Sequence, residues 1–285
     1  MAIVELYKYI RESAILGWKL DSNWTDPTLF AIYYMIRPLS GLLIVGFMYI
    51  IVSAASGSFN QQYFAYLFIG STFFVYMTQL CQTLSMLIPE EKARYESMRQ
   101  VYISPSSIKP YIIGRTLAAV FDSTLAVIIA FVLGDVIFTF LFKQPLAVDF
   151  FTINFPTLFF SVFLGVVGMT GIGYVLSGVS LVSNRLQWNL NEYVNAIFLL
   201  LGGAWFQPSL LPFPLPQISY VLPVTWFLDA VRKSIMPDST GIPLYTSVLY
   251  LAISSAVTAI VAYAFFTWCE SYAKKRGIID RKAEA

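Results

Sequence analysis

The sequence predicts an all-α, polytopic membrane protein, and three observations carry that prediction. Hydrophobic residues make up 58% of the 285-residue chain and charged residues only 12%, with a mean hydropathy of +0.69. No polar stretch is long enough to fold as a separate soluble domain. Several apolar runs also reach the roughly 18–20 residues needed to cross about 30 Å of hydrocarbon, without the short alternating segments of a transmembrane barrel.

Residues 1–24 open with "MAIVELYKYIRESAILGWKL", whose Glu5, Lys8, Arg11 and Glu12 interrupt any signal-peptide core. Ile3, Leu6, Tyr7, Ile10 and Ala14 share one helical face, and Glu5, Lys8, Glu12 and Lys19 another. This reads as an amphipathic helix at the membrane interface, the alternative being a short helix packed on the same chain. Six transmembrane helices follow, over 31–55, 63–88, 111–142, 150–182, 193–207 and 244–269. The third run, about 48 Å as a helix, must project, tilt or break. No repeat relates the two halves, unlike the duplicated build common in secondary carriers.

The positive residues set a direction. With both termini in the cytosol, fifteen of the eighteen Lys and Arg lie at or near the inner face, and only Lys143, Arg232 and Lys233 fall outside. The Asn23 sequon is then cytosolic and a chance match.

Several chemistries are excluded. The chain has no histidine, which removes imidazole metal ligands and His-activated nucleophiles. Cys81 and Cys269 lie in apolar segments and read as small core residues, not a disulfide. None of the sixteen glycines precedes a lysine, so there is no G-x-x-x-x-G-K-[ST] phosphate loop. Nothing points to nucleic acid.

One stretch runs against the composition. Six of the twelve residues in "PEEKARYESMRQ", Pro89 to Gln100, are charged. Pro89 suits a first helical position, Glu90 and Glu91 suit the positive end of a helix dipole, and Ser104 before Pro105 ends the element. The expectation is a short helix over 89–103 at the inner face, or else a solvated loop that orients the chain by its charge.

Two segments resemble ABC-2 type permeases. "EKARYESMRQVYISPSS" followed by "IIGRTLAAVFD" resembles the family's segment after the second span, with Glu91, Ser104, Pro105, Ser107, Gly114 and Arg115 in matching places. Glu96 and Arg99 stand where the family often has Gly and Glu. "NAIFLLLGGAWFQPSLLPFPLPQISYVLPVTWFLDAVRKSIM" resembles the fifth span and the outer segment after it, through Gly203, Phe206, Pro208, Pro212, Leu222, Pro223, Thr225 and Arg232. The resemblance implies the membrane-spanning half of an exporter that works as a dimer, with a second copy or a paralogue. Two copies of a separate ATPase subunit would hold ATP and magnesium, and this chain would bind no cofactor and catalyse nothing. Residues 89–103 would be a cytosolic coupling helix docking into the ATPase, with Glu90, Glu91, Arg94, Tyr95 and Arg99 in contact. Residues 208–243 would be an outer re-entrant segment shaping the exit. The implied cargo is hydrophobic or amphipathic, drug- or lipid-like, with polysaccharide or glycolipid as the alternative within the family.

Three further features bear on a path. Thr78, Gln79 and Gln82, with Ser71 and Thr72, lie near one face of the second span, where they either line a conduit or bond neighbouring helices. Asp122 and Asp135 in the third run are costly in hydrocarbon; the first belongs near the inner interface if the helix projects, and the second lies deeper. As proton sites they would suit an ion-coupled carrier or channel without an ATPase, while a membrane scaffold with no conduit is a third class. In the outer segment, seven of the fourteen prolines fall between Pro208 and Pro243, and Asp229 and Arg232 stand one helical turn apart, able to pair. The glycines from Gly165 to Gly178 read as packing positions.

Overall fold

The computed structural model describes residues 3–22, 26–93, 108–143, 153–183, 189–237 and 241–277, which form nine α-helices and no strand. They are α1 (Ile3–Ser22), α2 (Pro27–Ser56), α3 (Gln61–Ala93), α4 (Ile108–Val136), α5 (Phe155–Val182), α6 (Leu190–Leu201), α7 (Leu215–Val221), α8 (Pro223–Ile235) and α9 (Leu244–Arg276). Five stretches within them are long and apolar enough to cross a membrane: Pro38–Ser56, Gln61–Lys92, Ile108–Phe140, Phe155–Val182 and Leu244–Arg276. The protein is an all-α, membrane-embedded chain.

Local chemistry explains the helix ends. Asp26 caps α2 by accepting from Thr28 N at 2.9 Å, with Pro27 in the first turn, and Gly57 closes the helix at φ 69°. Hydrogen bonds from the Thr28 hydroxyl and backbone also hold the Asp26 carboxyl below its usual range. Asn154 caps α5 through Thr157 N, 3.3 Å away. Lys274, Lys275 and Arg276 sit in the last turn of α9, where cations meet unpaired carbonyls. Both cysteines are free and buried.

Two sequence expectations change and a third is narrowed. The third run does not break: α4 continues into a π-helical turn over Ile137–Leu141. The second span does not end before Pro89, because α3 carries through it to Ala93. Proline removes one helical hydrogen bond, and contacts made by the residues beyond it offset that loss. Glu91 accepts from the Tyr111 hydroxyl, and Lys92 donates to the Leu181 carbonyl at the end of α5. The fifth run does not make a spanning helix over 193–207. It forms only the twelve residues of α6, about 18 Å long. Gly202 closes it with a bond to the Phe198 carbonyl, and Gly203 follows at φ 74°, a conformation that stops a helix.

Paired contacts give the helix directions. Leu42 meets Gly134 and Phe138 meets Gly46, so α2 and α4 run parallel. Phe64–Phe138, Phe68–Phe131 and Tyr76–Thr124 set α3 antiparallel to α4. Cys81–Met169, Leu84–Gly173 and Lys92–Leu181 set α5 parallel to α3. Gly168–Ser255, Gly171–Thr258 and Gly178–Cys269 set α9 parallel to α5. Helix α8 runs the other way beside all three, through Phe227–Gly165 and Asn154–Ser234 on α5, Trp226–Tyr250 on α9, and Tyr76–Phe227 and Tyr66–Arg232 on α3.

At the centre stands α3, 78% of whose apolar window is buried, against 17% for α9. Phe64, Phe68, Phe73, Met77 and Leu80 pack there against Phe138 and Phe227. Helix α1 lies along the first turns of α4, with Trp18 edge-on to Phe121 at 5.2 Å and Gly114 close under Ile10 and Ser13. This is the contact of the packed-helix alternative; Tyr7, 67% exposed, and Leu16 stay outside it.

The α5 glycines are packing positions. A Cβ on Gly168 would stand 2.6 Å from Ser255 Oγ and 2.8 Å from Pro223 Cβ, whereas one on Gly41 would meet nothing within 4 Å. Gly168→Val is therefore expected to cost about 1–3 kcal/mol and to lower the unfolding temperature in detergent, while Gly41→Val leaves it near wild type.

Candidate functional site

The charged stretch divides at the end of α3. Glu90 is half-exposed there, but Glu91 is 3% exposed, turned inward onto Tyr111. An ordered, solvent-facing docking role does not suit its position in the isolated chain. Arg94, Tyr95 and Arg99, with most of 89–103, lie outside the described residues. Beside Glu91 is Arg115, 2% exposed, whose Nε and Nη1 make no hydrogen bond to a described residue. Arg115 also lines the seat of α1, within contact range of a Cβ placed on Gly17. Sequence reading assigned Arg115 to the inner interface and missed its burial; its spacing one turn from Tyr111 is the only local hint.

Higher on α3, half-buried positions recur at Ser71, Val75, Thr78, Gln79, Gln82, Met86 and Glu90, the helical repeat of a single face. The remaining faces are closed by apolar neighbours among the described residues, so the helix keeps one less buried stripe and that stripe is largely polar. Thr78 Oγ1 bonds its own helix at the Val75 carbonyl. Asp122 is 2% exposed in the middle of α4, level with this part of α3 through the neighbouring Tyr76–Thr124 bond. Asp135 lies near the C-terminal end of α4, half-buried, and accepts from Thr139 at 3.3 Å.

The proline-rich segment is built around α8. Pro208 opens a short 3-10 turn, Pro212 follows it, and Pro223 begins α8, buried against Gly168 of α5. Asp229 takes an ion pair from Lys233, one turn on, and a hydrogen bond from Ser247 of α9 at 2.6 Å. Arg232 makes its hydrogen bonds elsewhere. Its Nε donates to the Tyr66 carbonyl at 3.1 Å, its Nη2 to the Ala204 carbonyl at 2.6 Å, and its guanidinium lies 3.7 Å from the Tyr66 ring centroid. The expected Asp229–Arg232 pair is thus replaced by Asp229–Lys233, the i,i+4 spacing prevailing over i,i+3. Lys233, missed as a functional residue, is 2% exposed.

Helices α6 and α8 meet end to end. Thr225 Oγ1 approaches the Leu201 carbonyl at 3.5 Å, and Gly202 lies under Val224. From there α8 climbs beside α3 from the level of Tyr76 to that of Tyr66. The twelve residues of α6 and thirteen of α8 together make about 37 Å of helix. The non-helical backbone at the junction is enclosed by α3, α8 and the loop before α9, and it borders a cavity of about 300 Å³. No cluster of three or more metal-ligating side chains occurs among the described residues. No protein-family model and no curated protein sequence matches this chain.

Proposed function

We propose that this chain is the permease subunit of an ATP-driven ABC-2 type exporter, carrying a hydrophobic or amphipathic molecule out through the cell membrane. The observation that supports this most is the open polar stripe on α3. The most buried of the described membrane-length helices keeps one face only half-buried, and Ser71, Thr78, Gln79 and Gln82 lie on it. Lipid is a poor neighbour for such a face; a second permease copy or a paralogue, enclosing a conduit between the two, is a good one.

Helix directions support the six-crossing topology. Because α5 and α9 run parallel, the chain between them must return across the membrane. Helices α6 and α8, joined at Leu201–Thr225, supply that return as one discontinuous crossing. Both termini then lie in the cytosol. Burial of Arg232 and Lys233 also removes two of the three exceptions to the positive-inside bias, since internal cations are not loop charges. The chain has no phosphate loop, so the energy source is a partner ATPase, two copies per complex, binding ATP and magnesium. The contact falls on Glu90, Arg94, Tyr95 and Arg99, with 89–103 as the coupling element and 208–243 as the re-entrant exit.

The test is transport in proteoliposomes with the ATPase co-expressed. Gln79→Leu together with Gln82→Leu is expected to cut export at least tenfold while ATPase co-purification is retained. Reversing charge at Arg94 and Arg99 is expected to abolish co-purification. Unchanged export in the first variant and unchanged co-purification in the second would reject the reading. The burial of Asp122 favours one competitor, an ion-coupled carrier. Uptake by the chain alone, driven by a pH gradient, would establish that instead.

A further inference from the structure

The cavity beside the α6–α8 junction has a wall in electrical balance. Among the described residues that line it, Arg232 is the one cation and Asp229 the one carboxylate. The chain answers both charges itself. Arg232 donates to two backbone carbonyls and lies on the Tyr66 ring, and Asp229 takes Lys233 and Ser247. A charged ligand would leave water for a wall with no charge to spare, which is costly.

The uncommitted groups of the wall are neutral. Gln207, Ser209 and Tyr220 line the cavity, and none of their side chains makes a hydrogen bond to a described residue. A carboxamide and two hydroxyls each offer donors and acceptors. An apolar occupant would cover these groups without pairing them, so it suits the wall no better than an ion. Two of the three are held on one turn: Gln207 and Ser209 flank Pro208, and the Gln207 carbonyl closes that turn by accepting from Leu210 N at 3.0 Å. The third stands on the rim. Tyr220 is 37% exposed, with Trp226 against its ring at 5.5 Å and no other described ring beside it, so it presents apolar area and a hydroxyl together.

We propose that this cavity binds an uncharged polyhydroxyl group, a sugar ring or a polyol, held by Gln207, Ser209 and Tyr220. A hydroxyl donates and accepts from a single atom, and three such receptors on one wall match several hydroxyls on one ligand. A volume of about 300 Å³ is at the small end for ligand sites, enough for one ring and too little for acyl chains. The site is a property of this chain alone and does not depend on the exporter reading.

Purified full-length chain in nanodiscs would be probed by native mass spectrometry with three lipids that share their acyl chains: monogalactosyldiacylglycerol, phosphatidate and diacylglycerol. Saturable retention of the galactolipid is expected, roughly tenfold or more above the other two, because a site built to bond hydroxyls rejects ligands that lack them. Gln207→Leu keeps the size of the side chain without its hydrogen bonds and is expected to weaken retention about tenfold. Gly241→Phe is expected to abolish retention by filling the cavity, which Gly241 lines. A Cβ there meets nothing within 4 Å, so the unfolding temperature in detergent should stay near wild type. Displacement by free methyl galactoside would show that the sugar suffices, and retention against it would show that the lipid itself is the ligand; either result supports the site. Galactolipid retention no greater than that of phosphatidate or diacylglycerol, or wild-type affinity in either variant, would overturn it.

Discussion

Arg232→Met is expected to destabilise the protein by about 3–5 kcal/mol, the largest effect of any single substitution outside the core. Methionine fills much of the space but leaves the Tyr66 and Ala204 carbonyls, bonded at 3.1 and 2.6 Å, without a donor. Each hydrogen bond to a charged group contributes about 1.5–3 kcal/mol, and the stranded carbonyls add a desolvation cost. Arg232→Lys is not expected to rescue the loss, because an ammonium is not a planar fork that bonds two carbonyls while lying flat on Tyr66. The damage should be local first. Hydrogen exchange would rise in α8 and at the start of α3 before the C-terminal halves of α3 and α5 respond. A Tm in detergent within a degree of wild type would sink this account of the outer segment.

Glu91→Ala is the second large effect, expected to cost about 3 kcal/mol in the isolated chain. The substitution removes the acceptor of the buried Tyr111 hydroxyl and the carboxylate within electrostatic reach of Arg115, which is itself 2% exposed. Breaking a buried charge arrangement on one side costs more than the arrangement contributes when intact, since the remaining ion has no water to turn to. Glu91→Gln keeps an acceptor for Tyr111 and should lose less. Glu90→Gln, on the half-exposed side of the same turn, should stay within about 0.5 kcal/mol. The comparison separates two roles. A residue that only docks a partner leaves the stability of the free chain unchanged, so a neutral Glu91→Ala would restore Glu91 to the contact surface.

These two residues also show where sequence reading reaches its limit. Glu91 and Arg232 both stand out by their place in a motif, yet the neighbours each finds within the chain do not. In the first case the charge density of "PEEKARYESMRQ" suggested exposure, whereas α3 continues through Pro89 and carries Glu91 onto Tyr111, twenty residues away. In the second, helical spacing offered Asp229 both Arg232 and Lys233 as partners, and local geometry alone does not choose between them. The polar stripe on α3 was visible as a spacing of Ser71, Thr78, Gln79 and Gln82, but only the closed faces around it mark it as open.

What the sequence determined by itself was the solvent and the ladder of helices. Whether a run is long and greasy enough to cross hydrocarbon depends on consecutive residues, so the boundaries of α2, α5 and α9 could be placed closely before any contact was known. What only the tertiary structure decided was which of these helices run side by side in the same direction, that the fifth run stops after twelve helical residues and meets α8 at Thr225, and that Arg232 and Lys233 are buried. Those outcomes rest on pairs such as Tyr66 and Arg232, 166 residues apart. No local pattern records such a pair, because the free energy that selects it arises only when both segments have already been withdrawn from water.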